Sequence, residues 1–222
     1  MKMKKIFFIS SVILLAVLFY IFYSINNVDL AKKRIRELES DARVTSLLGE
    51  IKSLTDKGYD KNTAIEYYLT SGFFWKSIGD ITIDNRDYNL AISAYKEAIK
   101  YANNTNIVPL NNLGNIYELL GDYNLAEEQY LSALKISPVE YITHKQLVDL
   151  YFYKLKKDKK EVIDLLDKAI TYAVDKAPLL QLKGWYLRNM GFKNEALEVY
   201  LLLVKDHPQF QAVIDELKTE IK

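Results

Sequence analysis

The chain has no cysteine among its 222 residues. That absence removes disulfides, thiolate metal sites, iron–sulfur clusters, lipid attachment through cysteine and cysteine nucleophiles. Histidine is nearly as scarce, with His144 and His207 alone to support zinc or acid–base chemistry, and both read as structural. No HExxH, no phosphate-cradling GxxxxGK and no GxGxxG after a strand-like run occurs. Breakers are few, four prolines and eight glycines, so the many Leu, Ala, Glu, Lys and Tyr residues are free to form helices. An excess of charge is missing too: 30 Lys and Arg face 29 Asp and Glu for a net +1, which gives no global field to attract nucleic acid. These absences point away from an enzyme, with no cofactor and no metal, and toward an all-α protein. Half the residues are hydrophobic and 27% charged, which excludes a disordered or collagenous chain.

The hydrophobicity is unevenly spread. Ile6 to Ile25 is a 20-residue run without a charge, holding fourteen Ile, Leu, Val or Phe residues. As a helix it is about 30 Å long, the thickness of a bilayer's hydrocarbon core. Residues 1–5 form a basic tail with Lys2, Lys4 and Lys5, and residues 6–25 are expected to be a transmembrane helix retained as a signal anchor. A cleaved signal peptide is the competing reading, but its apolar core is about 7–15 residues and ends at a small-x-small site, which Phe22 to Asn27 does not offer. The three lysines lie against the run, whereas Lys32, Lys33, Arg34 and Arg36 follow it at a distance among Glu37 and Glu39. The favoured topology is therefore single-pass in an inner or cytoplasmic membrane, N-terminus cytoplasmic and body extracytoplasmic, with a cytoplasmic body left open.

Residues 26–62 read as a helical stalk or linker. Val28, Ala31, Ile35, Leu38 and Ala42 recur at 3-4-3-4 spacing, and Glu39 and Arg43 are placed for an i,i+4 ion pair. A second frame, Val44, Leu47, Ile51 and Leu54, follows, interrupted by Gly49. Two heptads fall short of a coiled coil, so this stretch is expected to pack on the first repeat, with self-association through a dimer seam as the alternative. Gly58 and Asp60 break the helix, and Thr63-Ala-Ile-Glu66 is a capping-box pattern for the next one.

A self-match at a period of 35 organises the rest. Gly79 and Gly114, Ala91 and Ala126, Tyr95 and Tyr130, and Ala98 and Ala133 are each 35 apart, and Asp87-Tyr-Asn-Leu-Ala91 recurs as Asp122-Tyr-Asn-Leu-Ala126. At twice the offset Gly114, Gly121, Ala126, Tyr130 and Pro138 return as Gly184, Gly191, Ala196, Tyr200 and Pro208. A period in this range means a repeat array. Small residues on both helices of each pair let the backbones approach, and large ones such as Trp75, Leu110, Tyr95, Tyr130 and Tyr200 fill the spaces between.

Leu110-x2-Leu113-Gly114-x2-Tyr117, Gly121-Asp-Tyr, Ala126-x3-Tyr130, Ala133 and Pro138 resemble the tetratricopeptide repeat, whose signature is W-x2-L-G-x2-Y, then A-x3-F, then P. Trp75 to Ala98 matches almost as well, with Thr82 in place of the first Tyr. The resemblance implies an α-solenoid, a right-handed superhelix of antiparallel helix pairs over residues 63–208, in about four units (72–106, 107–140, 141–176 and 177–208), with a capping helix at 209–222. It also implies that first helices line a concave groove for a peptide. Carried over position by position, that groove would hold Lys76, Asp80, Asp84, Asn111, Asn115, Glu118, Lys145, Asp149, Gln181, Trp185 and Arg188. Asn111 and Asn115 share a face from which they could bond a peptide backbone or simply solvate the surface. Trp185 could anchor a ligand or pack on a neighbour. Lys76 and Asn112 fit two places of the family's clamp for a chaperone's C-terminal carboxylate, but Asp80, Ile142 and Gln146 do not, so such a clamp is not expected.

The lysines at 154, 156, 157, 159 and 160 read as a solvated turn. Without Lys2, Lys4 and Lys5 the chain counts 27 basic and 29 acidic residues. The expected partner is a protein or peptide, with membrane contact through residues 6–25, no nucleic acid, and a homo-oligomer possible through the stalk. The resemblance implies an anchored scaffold or adaptor like those serving bacterial envelope assembly, secretion or chaperoning.

Overall fold

A computed structural model describes residues 28–222. The basic tail at 1–5 and the candidate span at 6–25 lie outside the described residues. Among those described, no helix is long and apolar enough to cross a membrane, and no strand occurs. The chain divides into two compact units, the first ending at Tyr101 and the second beginning at Ala102.

Unit 1 contains α1 (28–38), α2 (Thr45–Lys57), α3 (Ala64–Thr82) and α4 (Asn85–Tyr101). Ile35 and Leu38 are 7% and 5% exposed, so the middle of the 28–42 stripe packs inside the unit, as expected of a stalk lying on the first repeat, while Val28 and Ala42 at its ends stay exposed. Because α1 ends at residue 38, Glu39 and Arg43 are not helical neighbours and the expected ion pair does not form. Glu39 pairs with Lys52 at 2.6 Å and Arg43 with Asp41 at 2.7 Å instead. Nor does Gly49 interrupt anything: α2 runs through it on an open face, where an added Cβ would meet nothing within 4 Å. The helix stops at Gly58, whose N–H donates to the Leu54 carbonyl at 3.1 Å. α3 starts where the capping-box pattern predicts, but the box itself is absent. Asp60 Oδ1 accepts from the Asn62 and Thr63 N–H groups and the Thr63 hydroxyl at 2.8, 2.9 and 3.0 Å, turning Thr63 back into the loop.

α1 is fastened by a buried ion pair. Arg34 Nε and Nη2 donate to the two Asp87 oxygens at 2.7 and 2.9 Å, and Asp87 also accepts from the Thr82 hydroxyl at 2.6 Å. Asp87 is fully buried and Arg34 nearly so. Two further carboxylates close the ring, Asp84 at 3.0 Å and Glu37 at 3.2 Å. The surrounding carboxylates push the Arg34 guanidinium further above its ordinary range, the Asp87 bond most of all. The Arg86 guanidinium holds the Asp84 carboxyl down at about 2. Asp84 therefore belongs to this clamp in the α3–α4 turn and not to a peptide groove.

Unit 2 contains α5 (Ile107–Leu120), α6 (Tyr123–Ile136), α7 (Tyr141–Asp149), α8 (Lys159–Tyr172), α9 (Ala177–Asn189), α10 (Lys193–Leu203) and α11 (Gln211–Glu220). α7 continues as a π-helical turn over Leu150–Leu155. In the α5–α6 pair the Tyr130 ring lies on Gly114, where an added Cβ would sit 2.4 Å from the ring; no side chain fits there. Gly184 and Tyr200 repeat the arrangement between α9 and α10 at 2.8 Å. Unit 1 breaks the register that the 35-residue match predicts: Tyr95 lies on Gly72, and Gly79 faces Tyr88. The cause is an earlier turn. α5 ends at Leu120, but the residue 35 before it, Asn85, is already the first of α4.

The far half of unit 2 shares one core, in which Val148, Leu166, Leu179, Leu187, Ile214 and Leu217 are buried together. α11 covers its end through Ile214 and Leu217. His144, 3% exposed, bonds the Pro138 carbonyl through Nε2 at 2.8 Å; in the neutral ring that nitrogen is the donor, and buried Nδ1 has no partner. Burial lowers its pKa.

Candidate functional site

The first helices of the last two pairs in unit 2, α7 and α9, enclose a cleft of about 360 Å³, at the lower end of the range for small-ligand sites. Four of the groove positions line it: Lys145, Asp149, Gln181 and Trp185. With them stand Tyr141, Tyr153, Pro178 and Leu182, which the sequence reading did not single out. Tyr141 precedes Lys145 and Asp149 at i,i+4 spacing, a signal that was available. Pro178 opens α9, where its missing N–H costs nothing, and Leu182 and Trp185 follow on the same face.

Tyr153 arrives by a route no 3.6-residue pattern shows. The π turn inserts extra residues at the end of α7 and ends where Lys156, at φ 53°, turns the chain and the Tyr151 carbonyl accepts from the Lys157 N–H at 3.0 Å. It leaves Phe152 edge-on to Tyr186, with centroids 5.2 Å apart, and Tyr153 6.4 Å from the Trp185 ring. Trp185 also stands edge-on to Tyr186 at 4.8 Å, yet keeps 38% of its surface exposed. It both packs and faces the cleft.

The charges in the cleft cancel locally. Lys145 Nζ donates to Asp149 Oδ2 at 2.7 Å, and Asp149 Oδ1 accepts from the buried Tyr186 hydroxyl. The Asp149 bond raises the Lys145 pKa, and burial followed by the same carboxylate raises that of Tyr186. With both carboxylate oxygens engaged, what faces the opening is aromatic, with the half-exposed Tyr141 and Tyr153 rings and the Gln181 amide at the rim. Such a surface suits an uncharged apolar or aromatic side chain whose backbone takes hydrogen bonds from the rim.

The remaining positions do other work. Asn111 Nδ2 donates to the buried Thr143 hydroxyl at 2.8 Å, and that hydroxyl donates back to Asn111 Oδ1 at 3.0 Å, so Asn111 ties α5 to α7 and its amide is spent. Asn112 and Asn115 are half-buried beside it on α5. Glu118 accepts from the Tyr130 hydroxyl at 2.6 Å, and burial raises its pKa. Arg188 is taken by α11, bonding Glu216 at 3.0 Å and also Glu220. In unit 1, Lys76 pairs with Asp80 at 2.7 Å, and Asp80 also accepts from the Tyr88 hydroxyl at 3.0 Å. Among the 154–160 lysines, Lys157 pairs with Glu161 at 3.0 Å and Lys160 with Asp164 at 2.6 Å, while Lys159 lies 4.1 Å over the Phe192 ring. Among the described residues no cluster of His, Cys, Asp or Glu could hold a metal ion.

Residues 75–105 and 108–138 each match a family model described as tetratricopeptide repeat, so the repeat is present at those two places. No curated protein matches the chain. Among solved structures, the crystal structure of MamA protein is similar at 22% identity and a TM-score of 0.50, over 71% of this chain and 88% of that one. That likeness shows a shared fold. A second MamA structure is similar at 24% identity with a TM-score of 0.44, over 64% and 89% of the two chains. A Pseudomonas aeruginosa pilF structure is similar at 15% with 0.42, over 90% and 92%. Tetratricopeptide repeats are protein-interaction scaffolds, and that coarse function follows for this chain.

Proposed function

We propose that the chain is a membrane-anchored scaffold that captures a protein partner by seating one apolar or aromatic side chain of a peptide segment in the α7–α9 cleft. The cleft carries the reading: Trp185, Tyr141 and Tyr153 leave ring surface open above an ion pair that is already internally satisfied. A charged side chain would find no free counter-charge there, whereas an apolar one would displace water from aromatic surface at no electrostatic cost. The anchor rests on the uncharged run at 6–25 and the lysines before it. On the same grounds the body lies outside an inner or cytoplasmic membrane, in a setting of envelope assembly, secretion or chaperoning.

A random peptide display library panned against the detergent-purified full chain tests the cleft. The expected winners carry a Phe, Trp, Leu or Met anchor and shift the emission of Trp185, since Trp75 is only 2% exposed. Trp185→Ala should weaken them by about 2 kcal/mol, the size of an interface hot spot, or roughly thirtyfold in Kd. Tyr172→Ala, exposed at the end of α8, should not. Winners indifferent to Trp185→Ala would move the site elsewhere.

A further inference from the structure

One end of unit 1 is built from tyrosine. Tyr59, in the α2–α3 loop, has ring centroids 4.7, 4.9 and 5.9 Å from those of Tyr67, Tyr68 and Tyr101, and Tyr68 stacks on Tyr101 at 5.6 Å. The Tyr59 and Tyr68 hydroxyls are hydrogen-bonded to each other at 2.6 Å, and Tyr59 is 43% exposed. α1 begins at this end. Arg34 meets Asp84 and Asp87 at the start of α4, while Val28 and Lys32 line the same small cavity as Tyr68 and Glu97. α1 therefore runs antiparallel to α4, and its first residues lie toward Tyr101. Val28 and Leu30 are 50% and 54% exposed there, and the charges at this end are mixed, with Lys32, Lys57, Lys61 and Lys100 among Asp29, Asp56, Glu66 and Glu97. The carboxylate of Asp60 is turned into its own loop.

We infer that this tyrosine end sits in the headgroup layer of the bilayer. The inference rests on the anchor proposed above. Only Asn26 and Asn27 separate Ile25 from Val28, and whatever their conformation the three Cα–Cα steps reach at most about 10 Å, little more than the thickness of one headgroup layer. The end of unit 1 that carries Val28 is thus held at the interface, and it presents the residue type that prefers that depth: a ring for the acyl boundary and a hydroxyl for water. The mixed charges around it give no strong field, so the rings, more than anionic lipid, hold the contact. Unit 1 stands on the membrane by its α2–α3 loop, with the α1–α2 loop pointing away.

Because the chain lacks cysteine, single labels can be placed cleanly. Ser46→Cys and Lys61→Cys, exposed at the start of α2 and just beyond its end, lie about 20 Å apart along the helix. Each full-length variant, carrying an NBD label, is reconstituted into phosphatidylethanolamine–phosphatidylglycerol vesicles with and without lipid bearing a headgroup nitroxide. The expected result is loss of emission at position 61 and none at 46, with Tyr59→Ser in the Lys61→Cys background reducing the loss. Vesicles that float with the protein but quench neither label, or both equally, overturn the inference and leave the anchor standing. Protein that does not float with the vesicles overturns both.

Discussion

Tyr130 is held at both ends of its ring system: the ring rests on bare backbone at Gly114 and the hydroxyl on Glu118. A methyl group at Gly114 would have to push the ring off the α5–α6 seam, because the contacting atoms belong to a fully buried side chain and not to a flexible tip. Gly114→Ala should therefore cost about 1–3 kcal/mol, read as a lower Tm. Combined with Tyr130→Leu it should cost less than the sum of the single variants, since the second change removes what the first collides with. His144 gives a second expectation, in pH. Its folded pKa is lowered from 6.5 chiefly by burial, so the unfolded chain takes up the proton first. Its contribution is complete above about pH 6.5 and is lost as pH falls from there toward the depressed folded value. Denaturant midpoints compared at roughly pH 7 and pH 5 should fall for the wild type and fall less for His144→Gln. The glycines, alanines and tyrosines of the seam were legible in the sequence as a repeat. Which glycine meets which tyrosine in unit 1 was not, because an early turn slides α3 along α4 without changing the residues on either face.

At the scale of the element, α1 is the helix whose role the sequence concealed. Its heptad stripe is visible, but Arg34 reads as a cation on a stalk, and its partners sit 50 and 53 positions away, in the α3–α4 turn and the first turn of α4, which no local spacing rule connects to it. Removing it strands Asp87 as an uncompensated buried carboxylate. Arg34→Ala should therefore cost about 3–5 kcal/mol, whereas replacing both partners, Arg34→Met with Asp87→Leu, should recover most of it. Equal losses in the single and double variants would show that packing of α1, and not the charge pair, carries the energy. The π turn after α7 was hidden for a related reason. Periodicity reports which face a residue takes in a regular helix, and the inserted residues of 150–155 change that face for Tyr153 after the pattern has been read.

At the scale of the molecule, each unit is built from antiparallel helix pairs, and within unit 2 successive pairs bury their faces on one another. Unit 2 contains its own closed core and its own terminal helix. Residues 102–222 expressed alone should unfold in one cooperative step by circular dichroism and keep the emission of Trp185; a broad, non-cooperative melt would mean that its core depends on residues before 102. The α7–α9 cleft was half legible. The repeat register placed Lys145, Asp149, Gln181 and Trp185 together, and it equally placed Asn111, Asp84 and Arg188, which the fold spends on joining helices. Register assigns a face, and only packing decides which polar groups on that face are already satisfied.

The clamp on α1 also sets how the fold bears load. A pull applied at Val28 enters unit 1 along α1, and the first strong attachment it meets is Arg34, about 9 Å down the helix. The turn between them, with its exposed Val28 and Leu30, can peel away while the Arg34 ring holds the rest of α1 against the α3–α4 pair. Tension from that side would thus be taken up by the fraying of residues 28–33 before it reaches the hydrophobic seam, and the salt bridge would act as a strain relief for the unit behind it.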